Sequence, residues 1–334
     1  MESLYYSFII PVYNRPNEIE ELLQSFTKLE GNFKFEIVIV EDGSTETSEI
    51  VISKFSNKLD IGYFFKENSG PGDSRNYGMQ RAKGNYFIVL DSDVILPSNY
   101  LLEVDDYLSK TFYHCFGGPD AAHESFSDLQ KAINFSMTSF LTTGGIRGSK
   151  RARRDFEPRS FNLGLSKEAF NASSGFGKIH PGEDPDLILR LRDLGYKTTL
   201  IVSAFVYHKR RISWQKFYKQ VHKFGQVRPI LNKWHPSSKK ITYWFPTIFV
   251  LGLVTSLFFA LNGFYYFIFF YAIYFSAILF SALLSTKSIQ IAIMSLVAVC
   301  IQFYGYGYGF VKSTLKFMLS KKAAQEIFPK LFFK

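Results

Sequence analysis

The sequence predicts an α/β first domain, a Rossmann-like mixed and mostly parallel sheet, followed by C-terminal transmembrane helices. Three observations predict it. Short apolar runs alternate with helix-period segments through the first hundred residues, polar side chains gather at the ends of those runs, and no charged residue occurs from 241 to 286. Strands that alternate with helices of ten or more residues imply parallel βαβ units. A charge-free stretch of that length reads as lipid-buried.

Residues 5–12 are an apolar run closing in Pro11, Val12, Tyr13, Asn14 and Arg15. Pro16 then opens a segment with Ile19, Leu22, Leu23 and Phe26 at helical spacing. Strand, turn and helix recur at 35–40, 41–45 and 46–55. A third strand at 61–66 leads through Gly70, Pro71 and Gly72 into a helix at 73–82, with Asp73 or Ser74 placed to cap it. The fourth strand, 86–94, is an unbroken apolar run ending in two carboxylates one residue apart, Asp91 and Asp93 around Ser92. Such a run reads as a strand buried on both faces.

In an open α/β sheet, ligands sit beyond the carboxyl ends of the strands, so this acidic pair falls where a bound molecule would be. Neighbouring anions repel unless a cation joins them. Hard oxygen donors suit Mg2+ or Mn2+, which bridge phosphate oxygens, and the pattern points to a nucleoside diphosphate. A strand ending in an ordinary polar turn is the plain alternative. Two further edge loops, Tyr13 to Arg15 and Glu41 with Asp42, carry polar side chains that no turn requires together. Neither a Gly-x-Gly-x-x-Gly nor a Gly-Lys-Ser loop occurs, which argues against dinucleotide and P-loop sites. Asp42 offers an acceptor-only carboxylate to a base N–H or a ribose, or is a solvated turn residue. Arg75 and Asn76 follow a Gly-rich turn at a helix start, where dipole and guanidinium favour a phosphate; a helix-surface Arg is the alternative.

Residues 112–116 read as a strand and 125–140 as a helix. The Gly-rich, basic stretch 144–159 then carries Arg147, Lys150, Arg151, Arg153 and Arg154. It is expected to be a loop that either contacts an anionic acceptor such as a lipid phosphate or is simply solvated. At 182–186, Glu183, Asp184 and Asp186 open a helix. The dipole favours acids there, but three exceed what capping needs, and a carboxylate beside a metal-bound phosphate can activate a hydroxyl as general base. Residues 196–207 read as strand, with His208 next as either a metal ligand or a core histidine.

Charge is distributed unevenly. Residues 1–208 net −6, whereas 209–240 hold ten basic residues and no acid, and 312–334 hold six Lys and one Glu. Positive flanks around apolar runs mark membrane edges, and nucleic-acid binding is excluded because the basicity does not cover a folded domain. Cys115 and Cys300 lie far apart with no disulfide framework or zinc spacing, as in a reducing cytoplasm. The N-terminus has no signal-peptide pattern, so the first domain is expected on the cytoplasmic side, at a bacterial inner membrane.

At 213–231, Trp214, Phe217, Tyr218, Val221 and Phe224 form one helical stripe with lysines off it, as for a helix lying in the headgroup plane or packed on the first domain. Three apolar runs of crossing length follow at 243–261, 264–284 and 289–311. Three crossings leave the tail lysines outside, against the positive-inside rule, so the third run, with Gly305, Gly307 and Gly309, is either a crossing or re-entrant. The expected divisions are 1–211, 212–240, 241–311 and a basic tail at 312–334.

Taken in order, Pro11 to Arg15, Glu41 to Thr45, the Gly-Pro-Gly turn before Arg75 and Asn76, Asp91-Ser92-Asp93, Glu183-Asp184 and Tyr207-His208 resemble glycosyltransferase family 2 across residues 5–230. The resemblance implies a GT-A fold, a nucleotide-sugar donor, a divalent metal, Mg2+ or Mn2+, and inversion at the anomeric carbon. It implies that Asp42 contacts the base, Asp91 the ribose or metal, Asp93 the metal, and His208 the metal, while Asp184 is the base and Glu183 supports the acceptor. Pro11, Tyr13, Asn14, Arg15, Arg75, Asn76 and Ser92 complete the donor set. Asn162, in a segment loosely similar to the one bordering the acceptor, joins Arg151, Arg153 and Arg154 as acceptor candidates. Gln215, Gln220 and Gln226 all lack the Arg-Trp of processive members, which implies one sugar per encounter. The expected function is transfer from a UDP-sugar to a lipid-linked or surface glycan. The alternatives are transfer to polyprenyl phosphate, or a non-catalytic membrane scaffold.

Overall fold

The computed structural model describes residues 3–144, 156–209 and 213–333. They fall into two compact units, one within 1–123, 147–209 and 330–334, the other within 124–146 and 210–329.

The first unit is organised by a seven-stranded sheet. Its strands are β1 (Tyr6–Val12), β2 (Phe35–Asp42), β3 (Ile61–Lys66), β4 (Tyr86–Leu90), β6 (Cys115–Gly117), β8 (Asn162–Ser166) and β9 (Thr198–Leu200) in the order β3-β2-β1-β4-β8-β6-β9. β1 runs parallel to β2 and β4, β2 to β3, and β6 to β9; β8 alone is antiparallel to its neighbours β4 and β6. The sheet is therefore mixed and mostly parallel, as its alternation of strand and helix predicts.

Every residue of β4 is buried, because helices cover both faces. On one side, α1 (Pro16–Phe26) buries Ile19, Leu22, Leu23 and Phe26, and α4 (Tyr100–Lys110) buries Tyr100, Leu101, Val104 and Leu108. On the other, α3 (Pro71–Arg81) and α8 (Glu183–Asp193) cover Ile9, Val38, Val89 and Leu163. Each such side chain contributes about 1.5–3 kcal/mol of transfer free energy. Two short helices, α2 (Glu49–Ser53) and α7 (Lys167–Ser173), complete the layers. The helix expected over 46–55 is thus only five residues long, since Asn14 accepts from the Thr45 and Glu46 amides and holds that loop open. A small second sheet pairs β5 (Val94–Ile95), β7 (Asp120–Ala121) and β10 (Val206–His208). The run expected as one strand over 86–94 therefore breaks after Leu90, and Asp91–Asp93 form the turn between two sheets.

Asn162 departs from its expected place at the acceptor. It is fully buried on β8, accepting from the Tyr100 hydroxyl at 2.6 Å and donating to Ala204 O at 2.8 Å. A core amide with both ends engaged is a structural group. Asn162→Ala leaves a hydroxyl and a carbonyl unpaired in the interior, so it is expected to cost about 2–4 kcal/mol, read as a lowered thermal midpoint with nucleotide affinity of the folded protein unchanged.

The second unit is helical: α5 (Asp128–Thr138), α6 (Phe140–Thr143), α9 (Trp214–Trp234), α10 (Phe245–Leu261), α11 (Tyr266–Thr286), α12 (Ile289–Leu319) and α13 (Ala324–Ile327). The chain enters this unit first at 124–146, inside the segment expected to belong wholly to the first domain. The reason is the apolar face of α5. Ile133 and Met137 pack with Phe217, Val221 and Ala298, and Phe135 with Ile278, Val299 and Phe303, partners that only the other helices offer.

Three helical segments, at 241–261, 266–286 and 289–319, are long and apolar enough to cross a membrane. α12 is continuous for 31 residues, roughly 46 Å at about 1.5 Å per residue. The third apolar run is therefore an unbroken helix that extends eight residues past its expected end at 311. Its glycines serve packing: a Cβ at Gly309 would collide with His222 O, and one at Gly225 of α9 with Tyr306 O. Small residues let two helix backbones approach this closely. α10 and α11 leave Leu251, Phe258, Phe267 and Phe270 uncovered.

Candidate active site

The site lies at the carboxyl ends of β1, β2 and β4, where the loops of a parallel sheet collect. The turn after β4 presents Asp91 and Asp93, with Ser92 buried between them. β10 runs antiparallel to β5 with His208 opposite Val94, which carries the imidazole to the same turn across 115 residues of sequence. His208 Nε2 is 3.3 Å from Asp93 Oδ1, its Nδ1 is 3.9 Å from Asp120, and its ring stacks on Phe161 at 4.8 Å. Asp91, Asp93 and His208 each offer one ligand atom within 4.8 Å of the others. Two carboxylates and an imidazole at that spacing fit one divalent ion, with oxygen donors for Mg2+ or Mn2+ and a nitrogen that favours Mn2+.

Two arginines hold the acids apart from one another's charge. Arg15, at the start of α1, reaches Asp93 Oδ2 at 2.5 Å. Arg75, buried on α3, donates to Asp91 at 2.8 Å and to Glu183 at 3.0 Å, with its guanidinium 5.2 Å from the Phe176 ring centre. A single side chain therefore ties the turn after β4 to the start of α8. A guanidinium that bridges two carboxylates by charge-assisted hydrogen bonds fixes geometry as well as charge.

Glu183 and Asp184 are sequence neighbours with opposite electrostatic fates. Burial pushes the Glu183 carboxyl up, but His180, hydrogen-bonded at 3.0 Å, and then Arg75 outweigh it and hold it at about 2. These partners hold Glu183 as an anion. Asp184 is pushed up by burial, only partly countered by Arg159 at 3.8 Å and raised further by the Glu183 charge. Where two environments drive neighbouring carboxyls apart, the raised one has base character. The activity of such a base falls as pH drops through its raised pKa. The acid limb of kcat/KM is accordingly expected above the usual aspartate range, and Arg159→Ala, which removes the lowering cation, is expected to move it higher still in a pH-rate profile.

The remaining expected donor residues are placed unequally. Asp42 is buried at the end of β2, accepting from Lys66 at 2.8 Å, Ser69 N at 3.0 Å and Gly70 N at 2.9 Å. A carboxylate has about four acceptor positions, so one remains for a ligand N–H. Gly70, with φ of 95°, caps α3 in a conformation that favours glycine. Tyr13 is half-exposed beside these loops, and Pro11 lies inside β1 opposite Val40. Two of the expected donor residues also hold loops in place. Asn14, at φ 52°, gives its side chain to the Thr45 and Glu46 amides, and Asn76 clasps Phe176 through both N and O at 2.9 and 2.8 Å. Both amides brace loops through these bonds. Arg151, Arg153 and Arg154 lie outside the described residues, as do Arg147 and Lys150. His180 and Phe176 stand in no motif, and Lys66 and Arg159 are marked by the sequence only as the ends of a strand and of a loop.

Residues 7–171 match the family model described as glycosyl transferase family 2. Over those residues, just under half of the chain, it is similar to that family. The chain is 35% identical over 108 residues to the poly(ribitol-phosphate) beta-N-acetylglucosaminyltransferase TarS of Staphylococcus aureus, a match covering 31% of this chain and 19% of TarS. It is 38% identical over 105 residues to an uncharacterized glycosyltransferase of Rickettsia typhi, covering 31% of this chain and 32% of the relative. Matches to the curated relatives span from 14% to 38% of those relatives' lengths. Among solved structures, the mannosyltransferase PcManGT of Pyrobaculum calidifontis, in complex with GDP-Man and Mn2+, superposes with a TM-score of 0.59 at 15% identity over 92% of this chain and 86% of that one. S. aureus TarS 1–349 in complex with UDP-GlcNAc gives 0.50 at 16% identity, over 93% and 92%. At these identities the likeness is one of fold, and the fold is GT-A.

Proposed function

We propose that this protein is a membrane-anchored, inverting glycosyltransferase that moves one sugar from a nucleotide-diphosphate sugar, a UDP-sugar in the first instance, to a hydroxyl of a lipid-linked or surface glycan. The observation that carries the reading is the Arg75 bridge, which joins the Asp91, Asp93 and His208 group to the start of α8, where Glu183 and Asp184 lie. A leaving-group end and a base end within one side chain's span suit a single displacement at the anomeric carbon. A divalent ion bound by Asp91, Asp93 and His208 would neutralise the departing diphosphate. Asp42 and Tyr13 are assigned to the base and ribose, Arg15 and Arg75 to release the acids when the ion and phosphates bind, and Asp184 to take the acceptor proton.

The catalytic unit is assigned to the cytoplasmic face, with α10, α11 and α12 crossing the bilayer, their uncovered aromatic and aliphatic side chains supporting contact with lipid. That family names recur among relatives, with UDP-GlcNAc and GDP-Man in two neighbours of like fold, supports a sugar nucleotide without choosing the sugar. The test is a panel of UDP- and GDP-sugars offered to the detergent-purified protein with Mn2+, Mg2+ or EDTA. Metal-dependent transfer or donor hydrolysis with one of them is the expected result. A protein that binds no nucleotide with either metal would be the scaffold instead.

A further inference from the structure

Residues 331–333 follow the membrane-length helices in sequence yet belong to the sheet-bearing unit. Their backbone is paired there. Phe333 N donates to Lys178 O at 3.0 Å, His180 N donates to Leu331 O at 2.8 Å, and Phe332 forms an antiparallel bridge with Ile179, while the Leu331 side chain is buried. The Phe333 ring then touches two parts of the site at once. It lies so close over Gly70 that an added Cβ there would collide with it, and its centre is 5.8 Å from that of the His180 imidazole. Gly70 is the residue whose amide holds Asp42, and His180 the one whose ring holds Glu183.

We propose that Phe333 is a positioning residue of the donor site, and that the strap 331–333 forms the wall joining the Asp42 turn to the His180 and Glu183 pair, against which the nucleotide of the donor binds. The inference rests on the reading of this cleft as a sugar-nucleotide site. Backbone hydrogen bonds, each worth about 0.5–1.5 kcal/mol net, and the buried Leu331 side chain dock the strap on this unit. A ligand that touches it tightens it by the same free energy with which it strengthens the ligand. The ring comes from the chain's far end, more than a hundred residues after the last of the motifs in the first unit.

The test compares wild type, Phe333→Ala, Phe333→Tyr and a chain lacking residues 330–334, all in detergent. Each is titrated with UDP and GDP in Mn2+, and amide exchange at His180 and Phe333 is followed with and without nucleotide. Phe333→Ala and the shortened chain are expected to bind about tenfold more weakly, with Phe333→Tyr restoring most of the loss. In wild type, nucleotide is expected to slow exchange at both amides. Equal affinity in wild type and Phe333→Ala, or tighter binding by the shortened chain, overturns the inference while leaving the donor site in place. A wild type that binds neither nucleotide overturns the donor reading itself, and the inference with it. Should the shortened chain fail to fold, the two point variants decide the matter, because a merely structural role lowers thermal stability without moving the dissociation constant of the folded protein.

Discussion

Asp184→Asn is expected to abolish sugar transfer while leaving nucleotide binding at the wild-type level. The substitution keeps the side chain's size and its place in the first turn of α8, so Arg75 and Glu183, held at 3.0 Å, are undisturbed. What it removes is the one carboxyl of the pair whose pKa is raised, and with it the acceptor of the hydroxyl proton. Loss of a general base costs about 10²–10⁴-fold, and the whole of it is expected in kcat, with donor KM unchanged. Single-turnover transfer measured beside UDP titration separates the two. The same variant distinguishes acceptor classes. A phosphate nucleophile, as in transfer to polyprenyl phosphate, is already anionic and needs no strong base, so an Asp184→Asn protein that keeps most of its activity would move the assignment to that acceptor.

Asp93→Asn is expected to have an equally large effect by another route. Asp93 stands between two cations or potential cations, Arg15 on one oxygen and His208 on the other, and it is the buried member of the three-residue ligand group. An amide there offers a neutral oxygen to a divalent ion and leaves Arg15 with a weakened partner. Loss of an outer partner of a metal ligand costs roughly 10–100-fold in metal affinity, and loss of a ligand itself should exceed that. Mn2+ titration is expected to show affinity reduced by more than about 100-fold, and UDP binding should lose its sensitivity to EDTA. Nucleotide binding that remains fully metal-dependent in Asp93→Asn would remove Asp93 from the ligand set.

Much of the fold was legible because its signals are local. The alternation of apolar runs with helical spacing follows from backbone geometry within ten residues, and the charge gap from 241 to 286 needs no tertiary information. The carboxylates of the β4 turn were legible for the same reason: they stand one residue apart at the end of an unbroken apolar run. Side chains that answer to distant partners leave no such local signal. Asn14, Asn76 and Asn162 look alike as polar residues near motifs, yet each has its bonds satisfied by backbone or a tyrosine 31 to 100 positions away.

By itself, the sequence determined the α/β class, the acidic edge of the sheet and the three membrane-length helices, since each arises from periodicity or charge along a short window. Three features come from spatial neighbours alone: the pKa of Asp184 is raised while that of Glu183 is lowered, α5 packs with the membrane-length helices, and Phe333 reaches Gly70. The physical reason is that pKa and packing depend on what lies within a few ångströms in space, and His180, Arg75, Arg159 and the strap are brought there by chain crossings that no local pattern encodes.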